Sequence, residues 1–461
     1  MEPAADSSTT KEEQRSLGRL SAPISPLLSL DESSSELTKS MSVIPNPSRL
    51  ERPFDLRSLP SFSHASSQSS FPSACSTSFR TRTSSPKSRA SAVVSPSLPP
   101  LPESRIILGL GGTGLDFLVT VAAYPKPDEK IRSTSSKVQG GGNAGNALTC
   151  AARLGLNPRL ISKVANDAQG KGILDELEGD GVDTNYVVVA EEGNSPFTYV
   201  IVDSQTKTRT CIHTPGYPPM VPSELSQTSL FSALKGARLA YFDGRLHETA
   251  LVVAQEAARR KIPILIDAER KREGLDDLLS LADYAVCSAK FPQQWTEAPS
   301  IPSALVSMLL RLPNIKFVIV TLGEGGCIML ERSINVEGSD LEEMDVDNLL
   351  ELLKQEIDGN NAIPTCISSK TVMRLSADRI GTLSGRLLVG TAEKIPSSEL
   401  IDTTGAGDAF VGAILYAICA DMPPEKMLTF AAQVAAAGCR GLGARTSLPW
   451  RTDPLLAPFL S

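Results

Sequence analysis

The chain is 461 residues long, 41% hydrophobic and 21% charged, with a formal net charge of −7 and a pI near 5.3. An acidic balance without a basic stripe argues against nonspecific nucleic-acid binding. Eight scattered cysteines and three histidines indicate neither a disulfide framework nor a zinc site, but a reducing compartment. The longest strongly apolar helix candidate, 409–420, is too short to span a bilayer and lies between Asp408 and Asp421, so a soluble protein with no membrane partner is expected.

Length alone suggests about three domains at roughly 150 residues each, and composition lowers that count. Of the first 100 residues 28 are serine, so residues 1–104 are expected to form a disordered tail and residues 105–461 a single folded domain. The tail changes character at Met41. Before it, Glu2, Asp6, Glu12, Glu13, Asp31, Glu32 and Glu36 are too acidic for organelle targeting. From there to Pro100 the only acids are Glu51 and Asp55, against Arg49, Arg52, Arg57, Arg80, Arg82, Lys87 and Arg89 among serines. Residues 41–100 thus have the composition of a plastid transit peptide, which places the protein in the chloroplast stroma; the plainer alternative is an ordinary disordered tail on a cytoplasmic protein.

Arg105 to Leu110 reads as a buried strand running into glycines 109, 111, 112 and 114, whose spacing matches GxGxxG. A dinucleotide fingerprint needs those glycines to open a helix. Here Asp116 to Tyr124 is β-branched and aromatic and stops at Pro125, so an extended segment is expected and a nicotinamide dehydrogenase is not. In Gln139–Gly155, QGGGNAGNALTCAARLG, Ala147, Leu148, Ala151, Ala152 and Leu154 give a helix with a small-residue face. Asn143 and Asn146 stand at its mouth, where their side chains and the backbone amides beside Gly142 can meet the hydroxyls of a sugar; the alternative is a pair of capping asparagines.

Segments 116–138 and 182–213 read as lid strands. Phe197, Tyr199 and Ile201 alternate, a turn falls near 203–207, and 208–213 follows as a partner strand. Val200 and Val202 occupy the other side of the same strand, so both faces of this small sheet are apolar. A homodimer clasped through the lids is expected, against a monomer whose lid folds over its own site. From Leu239 strands and helices alternate, which implies a parallel sheet covered on both faces with ligands at its carboxyl edge. Within YFDGRLHE, Arg245 falls just past a strand, placed to clamp phosphates unless it forms only a surface ion pair. Residues 332–370 carry Asp340, Glu342, Glu343, Asp345 and Asp347 at their front and read as a surface loop with one helix.

The most informative stretch is DTTGAGDAF, Asp402 to Phe410, followed by an apolar run that suits a buried helix. Its glycines then lie in the turn opening the helix, and the amides of Gly405, Ala406 and Gly407 form an anion site at the positive end of the helix dipole. A carboxylate beside such a site, Asp408, repels a resting phosphate; its use there is to take a proton from an attacking hydroxyl while the amides hold the transferred group. The plainer alternative is a glycine turn whose Asp caps the helix.

This stretch resembles the C-terminal signature of the ribokinase-like, or PfkB, carbohydrate kinases, and Gln139–Gly155 resembles their N-terminal signature. The FDGR and GGGNAGN segments are similar to ketohexokinase- and fructokinase-like members. The resemblance covers nearly all of residues 105–450 and implies an α/β fold: a parallel-type sheet with helices on both faces plus a small β-sheet lid. It implies ATP-dependent phosphorylation of a sugar hydroxyl, with a ketohexose such as fructose favoured, ribose or a nucleoside as alternatives, and Mg2+ on the nucleotide. It further implies Asp116 as acceptor of two sugar hydroxyls and Asp128 as a lid-tip acid reaching a neighbour's sugar. Thr321, Gly323 and Gly326 would lie along the ATP, and Cys439 would sit in the segment flanking the adenine, where a small buried helix is the alternative. Asp402 and Thr404 would hold a monovalent cation, K+ among the candidates. The NxxE of many members is replaced by Ser288 to Phe291, SAKF. That departure leaves the placement of magnesium open, and a plastid scaffold without chemistry is the competing reading.

Overall fold

The computed structural model of the chain describes residues 98–333 and 341–460; residues 1–97, most of the expected tail and of the segment 41–100, lie outside them. Seven strands form the parallel heart of a large sheet, in the order β5 (Asp183–Ala190), β4 (Asn157–Ala165), β1 (Ile106–Leu110), β8 (Leu239–Phe242), β9 (Ile264–Ala268), β10 (Tyr284–Ser288) and β11 (Phe317–Thr321). Runs such as IILGL, LAYF and FVIVT are continuously apolar because such a strand is covered on both sides. The pleat divides them: Leu108 and Leu110 join one core layer, with Phe242 and Ile266, while Ile107 joins the other, with Tyr241 and Leu265.

Beyond β11 the sheet turns antiparallel through β12 (Cys327–Arg332) and β16 (Gly381–Gly390). β15 (Met373–Ala377) and β13 (Glu343–Asp345) continue the edge, and β14 (Cys366–Ser368) also pairs with β16. The chain leaves β1 towards β4 and β5 and later returns to its other side at β8, so strand order reverses there. Such a reversal opens a crevice at the carboxyl edge.

A separate four-stranded sheet, β3 (Ser135–Gly141), β2 (Gly114–Val121), β6 (Phe197–Asp203) and β7 (Arg209–Thr214), stands over that edge. Alternation sorts its faces. Leu118, Val200 and Val202 point inward with Asp116, Thr198 and Arg209, whereas Phe117 pairs with Val138 and Tyr199, and Tyr199 with Ile212, in one row on the outer face. Val138, Tyr199 and Ile212 in that row are 56%, 50% and 54% exposed.

Two expectations are corrected. The lid does not include 182–190, because that strand pairs in parallel with β4 at the edge of the main sheet. An edge strand is half exposed, so its residues do not distinguish it from a lid strand. The segment 332–370 is not a surface loop around one helix: the helix Val346–Gln355 buries Val346, Leu349, Leu350 and Leu353 in the core, and β13 and β14 extend the sheet. Asp345 caps that helix, and Asp347 accepts hydroxyl bonds from Ser300 and Ser303, so part of the acidic run serves structure.

Candidate active site

A cavity of about 750 Å³ lies between the carboxyl edge of the main sheet and the inner face of the lid. Asp116, Gly142, Asn143, Asn146, Arg245, Thr321, Thr404, Gly405, Gly407 and Asp408 all line it, although they come from five separate stretches of chain.

The glycines after β1 have a local cause. Asp243, buried at the end of β8, accepts from the Gly112 amide at 2.7 Å, and a Cβ on Gly111 would overlap its carboxylate. Likewise a Cβ on Gly142, where φ is 84°, would strike the Gly112 carbonyl. That carbonyl accepts the amides of Ala144 and Gly145 at 3.1 and 3.3 Å. The mouth of the helix Asn143–Arg153 is therefore capped by protein, and those two amides are not offered to a ligand.

Asp116 enters the cavity from β2, and burial pushes its carboxyl up to about 6 against the pull of Arg445 and a Thr198 hydrogen bond. Asn143 lines the cavity nearby. The reading of Asn146 changes: its Nδ2 donates to Asp408 Oδ2 at 2.8 Å, and its Oδ1 accepts from Arg445 Nε at 2.9 Å. Both ends of that amide are engaged by protein, so it holds Asp408 rather than spanning two ligand hydroxyls.

The signature turn closes the opposite wall. Gly405 takes φ 73° and precedes the helix Ala406–Cys419, whose first turn contains Asp408. Helix geometry leaves the amides of Gly407 and Asp408 without intrahelical acceptors, while the Ala406 amide reaches the Thr403 carbonyl at 3.3 Å. Of the three residues whose amides were expected to meet an anion, Gly405 and Gly407 line the cavity and Ala406 does not. Asp408 sits deep in this wall, and burial raises its carboxyl to about 7 even though Asn146, Arg245 and Arg209 act to lower it. A carboxyl in that range accepts a proton effectively near neutral pH.

Other expected residues lie outside the cavity lining. Asp402 is fully buried; its Oδ1 accepts from the Thr404 amide and hydroxyl at 2.9 and 2.8 Å, and its Oδ2 from the Gly443 amide at 2.9 Å. With both oxygens so engaged it braces the signature loop. Cys439 is buried at the end of the helix Pro424–Gly438, and its carbonyl accepts the Ile401 amide at 3.0 Å. Gly323 and Gly326 form the β11–β12 turn with φ 62° and 82°, beside Thr321 at the cavity wall. Asp128 is exposed in the β2–β3 loop with φ 63°.

Arg245, expected just past a strand, is more than a surface ion pair: it meets buried Asp243 at 3.4 Å and Glu269 at 3.2 Å while lining the cavity. Several further residues were not singled out by the sequence. Asp267, at the end of β9, also lines the cavity, and burial drives its carboxyl well up, with Asp408, Asp243 and Glu269 adding to the rise. Arg209 reaches from the lid to Thr403 Oγ1 at 2.9 Å. The Thr113 hydroxyl at the cavity edge is buried with no partner among the described residues, a vacancy that a ligand hydroxyl suits. Position at the carboxyl end of a parallel strand was the available signal for Asp243 and Asp267.

Known proteins resemble this chain in family and fold. A model described as "pfkB family carbohydrate kinase" matches residues 115–346 and 388–451. A ribokinase of Arabidopsis thaliana is 24% identical over 423 residues, covering 90% of each chain. A ketohexokinase of Mus musculus is 21% identical over 342 residues, 73% of this chain and 97% of its own. Among solved structures, Arabidopsis thaliana ribokinase complexed with ribose and ATP aligns with a TM-score of 0.54 and 21% identity, covering 78% of this chain and 99% of that one.

Proposed function

The chain belongs to the pfkB family of carbohydrate kinases, phosphotransferases that act on sugar hydroxyls, and on that premise we propose that it moves the γ-phosphate of ATP to a small sugar bound beneath the lid. The observation that carries this reading is the shared cavity: Asp408, at the open N-terminus of a helix, faces the space that Asp116 and Asn143 enter from the other side. In the proposed reaction Asp116, Asn143 and the Thr113 hydroxyl hold the sugar. Asp408 accepts the proton of the attacking hydroxyl, and the Gly405 and Gly407 amides meet the charge on the phosphoryl group. Arg245 and Arg209 face the ATP phosphates, and Thr321 with the Gly323–Gly326 turn borders the nucleotide.

Among the described residues no group of three or more acids, histidines or cysteines is arranged to hold a metal by itself. Mg2+ would be carried by the nucleotide and would neutralise phosphate charge, and Asp267 in the cavity lining would be the carboxylate available to help hold it. A ketohexose such as fructose is the first acceptor to test, from the FDGR and GGGNAGN segments, and ribose the second. A panel assay of sugar-dependent ADP release by the full chain decides between them.

The exposed outer row of the lid supports a homodimer: Val138, Phe117, Tyr199 and Ile212 form an apolar stripe across all four strands. Packing against a second copy would cover it through an isologous contact, and would carry Asp128 towards the neighbour's sugar. Delivery to the plastid by residues 41–100 completes the proposal.

A further inference from the structure

One fully buried charged side chain has no part in the reaction as proposed. Arg445, in the loop after the helix Pro424–Gly438, is 0% exposed. Its Nη2 donates to the Gly141 carbonyl at 3.0 Å, its Nη1 approaches Glu176 Oε1 at 3.4 Å, and its Nε donates to Asn146 Oδ1 at 2.9 Å. Glu176, on the helix Ala168–Gly179, also accepts the Gly140 amide through Oε2 at 2.7 Å, which fixes the far end of the chain. The sequence makes room for this guanidinium: a Cβ on either Gly140 or Gly145 would overlap it. Two glycines of the N-terminal signature thus answer to Arg445 rather than to a ligand.

An asparagine amide can turn over, presenting either its NH2 or its oxygen in a given direction. A guanidinium is donor only, so Arg445 admits only the Asn146 oxygen on its side. The NH2 must then face Asp408, where it donates at 2.8 Å. We propose that Arg445 is a positioning residue for phosphoryl transfer: through Asn146 it keeps a hydrogen-bond donor on Asp408, aiming the base and favouring its ionised form. This rests on Asp408 being the base of the proposed kinase reaction. Without Arg445 the amide is free to turn its oxygen towards the carboxylate, where two acceptors would repel and the base would hold its proton to higher pH.

The test is the pH dependence of turnover in Arg445→Met, Asn146→Leu and the double variant. Other groups face Asp408: Arg245 after β8, Arg209 on β7, Glu269 and Asp267 after and within β9, Tyr241 on β8 and Cys150 on the helix Asn143–Arg153. None is replaced, and Asn146→Leu leaves the pull of Arg445 on Asp116 in place, so a limb moved alike in both single variants reports the Asn146 donor. The acid limb of Arg445→Met should move up by about one pH unit, a loss of roughly fivefold at neutral pH that alkaline buffer largely restores. Asn146→Leu should move it likewise, and the double variant should move it no further. A uniform loss at all pH values, or shifts that add in the double variant, would overturn the proposal. Should Arg445→Met not fold, Arg445→Gln keeps a polar side chain that is not donor-only and so no longer fixes the Asn146 oxygen on its side, and an unmoved limb there overturns it equally. A wild-type chain with no turnover on any sugar refutes the kinase reading itself and this proposal with it; turnover with an unmoved limb refutes this proposal alone.

Discussion

Replacing Asp408 with Asn separates the base from everything else in the site. The amide has nearly the volume of the carboxyl, and its oxygen can still accept from Asn146 Nδ2, now 2.8 Å from Asp408 Oδ2, so the helix mouth should keep its shape. Proton acceptance is lost. Turnover should fall by at least roughly 10²-fold, about 2.7 kcal/mol of transition-state stabilisation, in the range of general-base contributions. Nucleotide affinity should hold or rise, because a negative charge beside the phosphates is gone. Stability should change in the opposite sense to activity. An acid whose folded pKa is raised to about 7 holds its proton more tightly in the native state, so the wild type loses stability as pH rises from the unfolded value through 7. Asp408→Asn escapes that loss, with a gain above pH 7 of at most about 4 kcal/mol, less after relaxation, which vanishes below about pH 4. Coupled ADP release at saturating substrates measures the first effect, and thermal melts at two pH values the second. Turnover within tenfold of wild type would remove Asp408 from the mechanism. A melting gain equal at acid and alkaline pH would show that its carboxyl is not raised.

Asp116→Ala and Asn143→Ala should weaken sugar binding by about 1–3 kcal/mol per lost partner with ATP binding unchanged, by calorimetry; the reverse pattern would assign that wall to the nucleotide. Tyr199→Glu, in the exposed lid row, should convert a dimer to monomer in light scattering, and a wild type already monomeric at micromolar concentration would rule the clasp out. If Asp128 serves the neighbouring site, mixing Asp408→Asn chains with Asp128→Ala chains should restore part of the activity, and no recovery would return Asp128 to an ordinary loop. Residues 41–104 fused to a fluorescent reporter should enter plastids; a diffuse cytosolic signal would sink the targeting proposal.

The parallel heart of the fold was legible because buried parallel strands are continuously apolar and helices separate them. The Asp402–Phe410 turn was legible because the glycines of the turn and the helix they open are consecutive in sequence. The role of Asn146 was not: its partners Asp408 and Arg445 lie 262 and 299 positions away, and only the folded chain shows that both ends of the amide are engaged. Arg445 itself gives no local signal, since one arginine in a glycine-rich loop reads as surface until its burial is known. Glycines 109, 111 and 114 matched a nucleotide fingerprint by spacing, yet each answers to a distant part of the chain: Gly109 to Leu148, Gly111 to the Asp243 carboxylate and Gly114 to the Pro196 carbonyl. Edge strand β5 was misplaced because half-exposed strands share one pattern whichever sheet they join.

The most direct measurement is ADP release by the full chain with ATP and Mg2+ against fructose, ribose, other sugars and nucleosides, with the phosphorylated product identified by mass. The predicted result is ADP formed only when an acceptor sugar is present, in equal amount to sugar phosphate, and abolished in Asp408→Asn. ATP binding without phosphate transfer to any acceptor would contradict it and leave a protein that keeps the kinase fold without the chemistry.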